Sequence, residues 1–304
     1  MQRFEVTILG AGSASPTLNR NPSSQLLNIG EKYFLIDCGE GTQVQLRKYK
    51  LSWAKIDYIF ISHLHGDHYL GLIGLLQSMH LLGRKNNLHV FCFPELKEII
   101  EIQNKYSGTV LNYQIEYHFL ENDKMNLILE TNLVTIYSFP LNHRIPCVGF
   151  LFNEKEAPRK ILKEKLIEYN VSTAEINKIR KGINATDNNG EEINFELLSE
   201  RAYPPRSYAY CSDTKYDESI VPFVNNVNTL YHESTFLKEM ESRAVATFHS
   251  TAEQAAKIAK NAKVNKLILG HYSARYKSIN EFLIEAKPIF ENCFLAIEGE
   301  VFKI

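Results

Sequence analysis

The sequence lacks the cysteine pattern of a disulfide framework or of a cysteine-based zinc site. Its 5 cysteines are odd in number and scattered, and none forms a CxxC pair. We interpret them as buried thiols of a protein in a reducing cytoplasm.

An excess of charge of one sign is also missing. Lys and Arg together number 34 and Asp and Glu together number 35, which gives a net charge of −1. Net charge therefore does not favour a polyanionic partner, and any surface that binds nucleic acid must be local.

Long apolar runs are absent too. No run is long enough to cross a bilayer, and the first residues, MQRFEVTILGAGSASP, show no charged segment followed by an apolar one. We therefore expect a cytoplasmic protein with neither a signal peptide nor a membrane partner. With 304 residues, of which 44% are hydrophobic, the chain can bury one large core or a core and a small subdomain.

Short apolar runs of β-strand character recur along most of the chain. Phe4, Val6 and Ile8 alternate with polar residues, as in a half-buried strand. Further strands are predicted at residues 25–29, 33–36, 58–62, 89–93, 114–119, 133–139, 148–152, 207–211, 229–231, 266–269 and 294–297. A helix is predicted at residues 71–82. This mixture predicts an α/β sandwich of two sheets with helices outside.

Residues 154–206 interrupt this pattern. The segment is rich in Lys, Glu and Asn, and residues 155–181 include eight Lys or Arg but only four Asp or Glu. A polar stretch of this length inside a compact domain predicts an inserted arm between two parts of one domain, 1–153 and 207–304. A solvated pair of helices is the alternative interpretation.

The densest group of metal-ligand residue types is HLHGDH, at residues 63–68. The alternating His63 and His65 can point to one metal, while Asp67 and His68 turn towards a second. Imidazole and carboxylate suit zinc, and a catalytic zinc site leaves one position open for water. The motif therefore predicts a two-metal hydrolytic site.

Six residues cannot complete two metal sites, so further ligands are expected downstream. His143, Asp213 and His271 each follow an apolar β run, which is where functional residues collect in layered α/β folds. Asp213, with two carboxylate oxygens, is the natural bridge between two metals.

The order of these motifs resembles the metallo-β-lactamase superfamily across the whole chain. More narrowly it resembles the ribonuclease Z family, endonucleases that trim the 3′ end of precursor tRNA. The narrower resemblance rests on DCGEGT at residues 37–42, YHESTF at 231–236, FHST at 248–251 and HYSARY at 271–276.

The resemblance implies a metallo-β-lactamase αββα sandwich whose insert at residues 154–206 is a flexible tRNA-binding arm. It also implies a homodimer that acts on precursor tRNA and holds two zinc ions per subunit. One zinc would be held by His63, His65 and His143, the other by Asp67, His68 and His271, and Asp213 would bridge them.

The implied reaction is attack of a metal-bridging hydroxide on the scissile phosphate, which leaves a 3′-hydroxyl on the tRNA. Asp67 would orient or deprotonate the nucleophile, and His249 would be the general acid on the leaving oxygen. Glu233 would fix the tautomer of His249. A capping box of Ser250 and Glu253, opening a helix at residues 251–262, is a structural alternative for the same motif.

Two arginines, Arg20 and Arg275, are candidate phosphate contacts, with a surface salt bridge as the alternative. His80, His89 and His118 are expected to be structural. Leu18 stands where the family carries a lysine, which puts the handling of CCA-bearing precursors in question. The arm also lacks the family's Gly-Pro signature.

Two other functions stay open from the sequence. The first is a small-molecule ester or phosphodiester hydrolase of the same fold, which needs neither a basic arm nor the His-Ser-Thr motif. The second is a metal-stabilised RNA-binding module without catalysis. A full set of ligand types beside a candidate acid argues against the second.

Overall fold

A computed structural model describes residues 2–304 of the chain and divides them into two compact units. The larger unit comprises Gln2–Asn153 and Arg206–Ile304, and the smaller comprises Glu154–Pro205. Within the described residues, no helix is both long and apolar enough to cross a membrane.

The first large sheet of the larger unit has seven strands. Their spatial order is β20 (Val301–Lys303), β1 (Phe4–Gly10), β3 (Ser24–Ile29), β4 (Lys32–Ile36), β5 (Ile56–Phe60), β6 (Leu88–Cys92) and β7 (Ile115–Phe119). Strands β4, β5, β6 and β7 run parallel to one another, so their carboxyl ends lie at one edge.

The second large sheet also has seven strands. Their order is β19 (Cys293–Leu295), β17 (Lys266–Gly270), β16 (Thr229–Glu233), β15 (Ser207–Cys211), β10 (Val148–Glu154), β9 (Val134–Pro140) and β8 (Asn126–Glu130). Strands β15, β16, β17 and β19 are parallel. A small sheet pairs β2 (Gly12–Ser13) with β18 (Tyr272–Ser273).

Helices of the larger unit cover the sheets. They are α1 (Thr42–Lys48), α2 (Gly66–Leu81), α3 (Pro94–Ser107), α7 (Glu241–Thr247), α8 (Ala252–Asn261) and α9 (Asn280–Ala286). Short 3-10 turns occur at Trp53–Lys55, Glu218–Ile220 and Lys238–Met240. Helix α8 contacts β16 and β17, and α9 contacts β19.

The alternation of apolar residues explains the layering. Phe34 and Phe60 belong to the core between the two sheets, whereas Leu35 and Ile59 belong to a second core shared with α1, α2 and α3. Neighbouring strand residues point to opposite faces, so both faces of this sheet are covered. Between the sheets, the ring of Phe60 meets that of Phe150 edge-on at 5.4 Å. Such pairs add about 0.5–1.5 kcal/mol beyond the area they bury.

Helix α2 differs from the sequence prediction because it begins at Gly66 rather than at residue 71. Asp67 and His68 therefore lie in its first turn, not in the loop before it. The helix approaches the loop after β4 closely, since a Cβ on Gly71 would lie 2.0 Å from the carbonyl oxygen of Gly39. Only glycine allows this approach, which brings the start of α2 against the residues that follow β4.

The smaller unit is built from short elements. Its helices are α4 (Lys163–Glu168), α5 (Ile176–Arg180) and α6 (Phe195–Leu198), with a 3-10 turn at Thr173–Glu175. Two strand pairs join β11 (Lys160–Ile161) to β14 (Ser199–Glu200) and β12 (Ala185–Thr186) to β13 (Glu192–Ile193). Its buried apolar residues are Leu166, Val171, Ile179, Ala185 and Leu198.

Candidate metal centre

The seven predicted ligands come from the ends of five elements of the larger unit. His63 and His65 follow β5, and Asp67 and His68 open α2. The other three follow β9, β15 and β17, and are His143, Asp213 and His271. The structure brings all seven together.

The first group consists of His63, His65, His143 and Asp213. Nδ1 of His65 lies 3.1 Å from Nε2 of His63 and 3.1 Å from Nε2 of His143. Oδ2 of Asp213 lies 3.5 Å from Nε2 of His63 and 3.9 Å from Nε2 of His143. A tetrahedral zinc with bonds of about 2.0–2.1 Å separates its ligand atoms by about 3.3 Å. The spacing fits one such ion.

The second group consists of Asp67, His68, His271 and the other oxygen of Asp213. Oδ1 of Asp213 lies 3.4 Å from Nε2 of His68 and 3.2 Å from Nε2 of His271. Oδ2 of Asp67 lies 3.6 Å and 3.4 Å from the same two nitrogens. Asp213 therefore offers one oxygen to each group, as a bridging carboxylate would.

Two atoms at the centre have no hydrogen-bond partner among residues 2–304. They are Nε2 of His68 and Oδ1 of Asp213, both buried. An unsatisfied buried polar atom costs about 1–3 kcal/mol, so such atoms are rare unless something else binds them. The donor set and this pair of free atoms fit a divalent cation.

The electrostatics of the cluster also suit cations. Burial raises the pKa of Asp213, but His271 and His68 outweigh burial and hold that pKa well below its usual range. Burial likewise raises the pKa of Asp67, and His68 and a hydrogen bond with His271 reverse the shift. Both groups are therefore carboxylates at neutral pH. Burial and His68 lower the pKa of His63, which leaves its imidazole neutral with a lone pair to donate.

The second ring nitrogen of four histidines meets an oxygen that fixes the ring. Nδ1 of His63 lies 3.1 Å from Oγ of Ser62, and Nδ1 of His68 lies 2.7 Å from Oδ2 of Asp37. Nδ1 of His143 lies 2.9 Å from the carbonyl oxygen of Phe248, and Nδ1 of His271 lies 2.8 Å from Oγ1 of Thr235. Such partners orient metal-binding histidines and set their tautomer.

Full-length relatives decide the family. The chain is 50% identical to "Ribonuclease Z" of Cytophaga hutchinsonii, over 99% of the chain and 96% of the relative. It is 43% identical to "Ribonuclease Z" of Phocaeicola vulgatus, over 98% of the chain and 96% of the relative. The chain belongs to the ribonuclease Z family.

Solved structures agree with this assignment. Human tRNase Z, short form, superposes with a TM-score of 0.72 at 25% identity and covers 98% of both chains. A metallo-β-lactamase fold protein from Bacillus subtilis superposes with a TM-score of 0.70 at 20% identity, over 99% of this chain and 100% of that one. The expected metallo-β-lactamase fold is confirmed. A family model described as "Anti-Pycsar protein Apyc1" matches residues 4–155, the half that carries HLHGDH.

In this ribonuclease Z family member, Glu233 and His249 form a pair beside the metal centre. Oε1 of the buried Glu233 lies 2.9 Å from Nδ1 of His249 and accepts hydrogen bonds from the backbone N–H groups of Ser250 (3.0 Å) and Thr214 (3.2 Å). Burial alone lowers the pKa of His249, but Glu233 and Asp213 outweigh it and raise the pKa to about 9. The imidazole of His249 is therefore protonated at neutral pH.

Asp37 supports His68, although no role was predicted for it from the sequence. Its fully buried carboxylate accepts hydrogen bonds from the Ser62 backbone (2.8 Å), the Ser62 hydroxyl (2.9 Å) and the Tyr210 hydroxyl (2.7 Å), besides contacting His68. It has a positive φ of 54°. The sequence did offer a signal for Asp37, because it follows β4 much as Asp213 follows β15.

The capping box lies one residue later than predicted. Thr251 caps α8 and pairs reciprocally with Gln254, not Ser250 with Glu253. Ser250 instead donates its hydroxyl hydrogen to the carbonyl of Thr214 at 2.7 Å. The serine therefore ties the His249 loop to the loop after β15.

The two arginines have different surroundings. Nη2 of Arg20 donates to the backbone carbonyls of Tyr276 (2.6 Å) and Ser273 (3.4 Å). Arg275 is exposed, and its guanidinium lies over the ring of Phe236 at 5.3 Å. Arg20 thus links two loops, whereas Arg275 is the more accessible to a phosphate.

Proposed function

We propose that this chain removes the 3′ trailer from precursor tRNA as a zinc-dependent endoribonuclease and leaves a 3′-hydroxyl on the tRNA. The observation that carries the proposal is the Glu233–His249 pair beside a seven-ligand cluster. A hydrolase that relies on its metal ions alone does not need a protonated histidine such as His249 held by a buried carboxylate such as Glu233.

Two zinc ions per subunit would be held as described, by His63, His65 and His143 and by Asp67, His68 and His271, with Asp213 between them. Imidazole-rich sites suit zinc. Such ions act as Lewis acids towards phosphate oxygens and lower the pKa of water.

The residues around the ions would divide the remaining work. Asp67 accepts a hydrogen bond from the Ala14 backbone at 2.7 Å, which holds the carboxylate in place to orient the attacking water. The water would give a proton to Asp67 as its oxygen bonds to phosphorus and the bond from phosphorus to the 3′ oxygen of the tRNA breaks. Protonated His249 then gives its Nε2 proton to that oxygen while Glu233 holds Nδ1.

The unit Glu154–Pro205 is proposed to bind the tRNA backbone as an arm. Three of its lysines pair with carboxylates, Lys160 with Glu200, Lys165 with Glu168 and Lys178 with Glu175. Three other basic residues are exposed and have no acidic partner among residues 2–304, namely Lys163, Arg180 and Lys181. These are the available phosphate contacts, since Lys and Arg supply the sequence-independent part of nucleic-acid binding.

A homodimer in the cytoplasm completes the proposal, with the arm of one subunit serving the active site of the other. Sedimentation of the purified chain at micromolar concentration tests the dimer directly. A monomer at that concentration would remove this part and leave the reaction untouched.

The deciding experiment uses precursor tRNA with a 3′ trailer and, in parallel, a small phosphodiester. We expect wild type to cleave at the trailer boundary, Asp67→Ala to cleave neither substrate, and the exposed Asp123→Ala control to match wild type. If wild type hydrolyses the small ester but leaves the trailer intact, the chain is a small-molecule hydrolase and the proposal fails.

A further inference from the structure

A second group of ligand-type side chains lies on the first sheet, outside the metal centre. It consists of His89 on β6 and of Glu116 and His118 on β7. The parallel register places His89 opposite Glu116. Because Glu116 and His118 are two residues apart on one strand, all three side chains project from the same face.

The ligand atoms of this group are as close as those of the metal centre. Nδ1 of His89 lies 3.1 Å from Nε2 of His118 and 3.3 Å from Oε2 of Glu116. Tetrahedral zinc separates its ligand atoms by about 3.3 Å, so the spacing fits an ion held by two imidazoles and one carboxylate. This ligand set leaves a position for water.

Packing fixes each ligand in place. The ring of His89 stacks on Tyr58 with centroids 5.2 Å apart, and the ring of His118 stacks on Phe91 at 4.4 Å. The side-chain amide of Asn87 donates to the other oxygen of Glu116 at 2.5 Å. The imidazoles therefore need little rearrangement to bind an ion, which lowers the entropic cost of binding.

The group is accessible to solvent, and the imidazole of His118 is neutral. The side chains of His89 and Glu116 are 29% and 43% exposed, so a hydrated ion can reach them. Burial and the neighbouring His89 lower the pKa of His118, which keeps its imidazole neutral at neutral pH. A neutral imidazole is the form that binds metal.

We propose that His89, Glu116 and His118 bind a further divalent transition-metal ion of the zinc class, with water completing its coordination. The ion would fasten β7, the last strand of the first sheet, to β6. Edge strands are exposed to unwanted pairing, and a metal cross-link holds such a strand in register.

The first test compares the full-length wild type with the double variant His89→Phe/His118→Phe, which keeps both ring stacks but removes two ligands. Both proteins are equilibrated with micromolar Zn²⁺, dialysed and measured by mass spectrometry of the metal. We expect the variant to carry one zinc per chain fewer, with trailer cleavage unchanged. Equal zinc content, or a loss of zinc accompanied by loss of cleavage, overturns the proposal.

Single substitutions at the partly exposed Glu116 guard against a variant that fails to fold. Glu116→Gln removes a ligand charge, whereas Glu116→His supplies a new imidazole. We expect titration with Zn²⁺ or Ni²⁺ to show weaker binding at this site in the glutamine variant and restored binding in the histidine variant. Identical titrations for wild type and both variants would show that the three residues form only a hydrogen-bonded surface group.

Discussion

The metal centre and the unit Glu154–Pro205 hold their charged groups in opposite ways. In the metal centre, the carboxylates of Asp37 and Glu233 are fully buried, and each accepts several hydrogen bonds. In the smaller unit, an ion pair such as Lys160–Glu200 leaves 69% and 51% of its side chains exposed. Breaking a buried pair costs about 3–5 kcal/mol, whereas exposed pairs contribute about 0–1 kcal/mol.

The two arrangements suit two different requirements of the proposed reaction, positioning of the phosphate and binding of the tRNA backbone. Positioning a phosphate among seven ligands needs atoms that do not move, and buried multiple hydrogen bonds supply that rigidity. Binding a backbone of variable shape needs charges that are free to meet phosphates, and the exposed Lys163, Arg180 and Lys181 supply them. Substitutions in the two regions should therefore change different kinetic constants.

Among residues outside the seven candidate ligands, the largest effect is expected for His249→Ala, which removes the proposed acid. We expect kcat/KM for trailer cleavage to fall by about 10²–10⁴-fold with the metal content unchanged. Metal content must be measured because a ring nitrogen of His249 also lies within 4.8 Å of ligand atoms of Asp213 and His271. If the variant loses metal, His249 is a metal ligand rather than the acid. His80→Ala is the matched control.

Asp37→Asn should have the next largest effect, on metal affinity. Loss of the carboxylate that orients His68 is expected to weaken metal binding by about 10–100-fold, measured by competition with a chelator. The control is Asp57→Asn, which removes the charge of a half-exposed carboxylate that pairs with Arg84. If both variants bind metal with equal affinity, the hydrogen bond between Asp37 and His68 contributes nothing specific to metal binding.

A change in pH dependence is expected for Glu233→Gln. The carboxylate raises the pKa of His249, so its removal lowers that pKa, and the acid form is lost at a lower pH. The alkaline limb of the kcat/KM profile should therefore move to lower pH, while the exposed control Glu98→Gln keeps the wild-type profile. If the alkaline limb of the profile does not move, Glu233 does not set the pKa of the catalytic acid.

The smallest effect is expected in the smaller unit and should appear in KM alone. Neutralising Lys163, Arg180 and Lys181 together should raise KM for precursor tRNA several-fold. It should also reduce the slope of log KM against log salt concentration by about 2–3, since each phosphate contact contributes about 0.7–0.9. Cleavage of a small phosphodiester should not change.

The matched control for this variant neutralises three paired lysines, Lys160, Lys165 and Lys178, and so changes net charge equally. A smaller effect in the control would show that available charge matters rather than total charge. Equal effects in both triple variants would argue for a general electrostatic contribution instead.

Much of the fold follows from local pattern. The strand Ser207–Cys211 has the predicted bounds, and most other predicted strands differ from the observed ones by one or two residues. The strand Val301–Lys303 was not predicted because three residues are too short for a periodic signal. The early start of α2 was missed because Gly66, Asp67 and His68 are weak helix formers, and contacts with the loop after β4 override that preference.

The supporting residues of the site were harder to predict than the ligand types. Asp37 receives hydrogen bonds from Ser62, 25 residues away, and from Tyr210, 173 residues away. A sequence shows which residues can bind metal, because ligand chemistry is local to the side chain. It does not show which distant donor will meet a given carboxylate, because that depends on how the sheets pack.

The long sequence separation of the candidate ligands has a consequence for how the protein matures. Asp67 and His271, which meet across the second group of ligands, are 204 residues apart in sequence. Contacts of such long sequence separation form late in folding, because the entropy of closing the loop is paid first. The ions would thus enter a chain that is already folded, and a cell short of metal would accumulate an intact but idle enzyme that can be rescued without new synthesis.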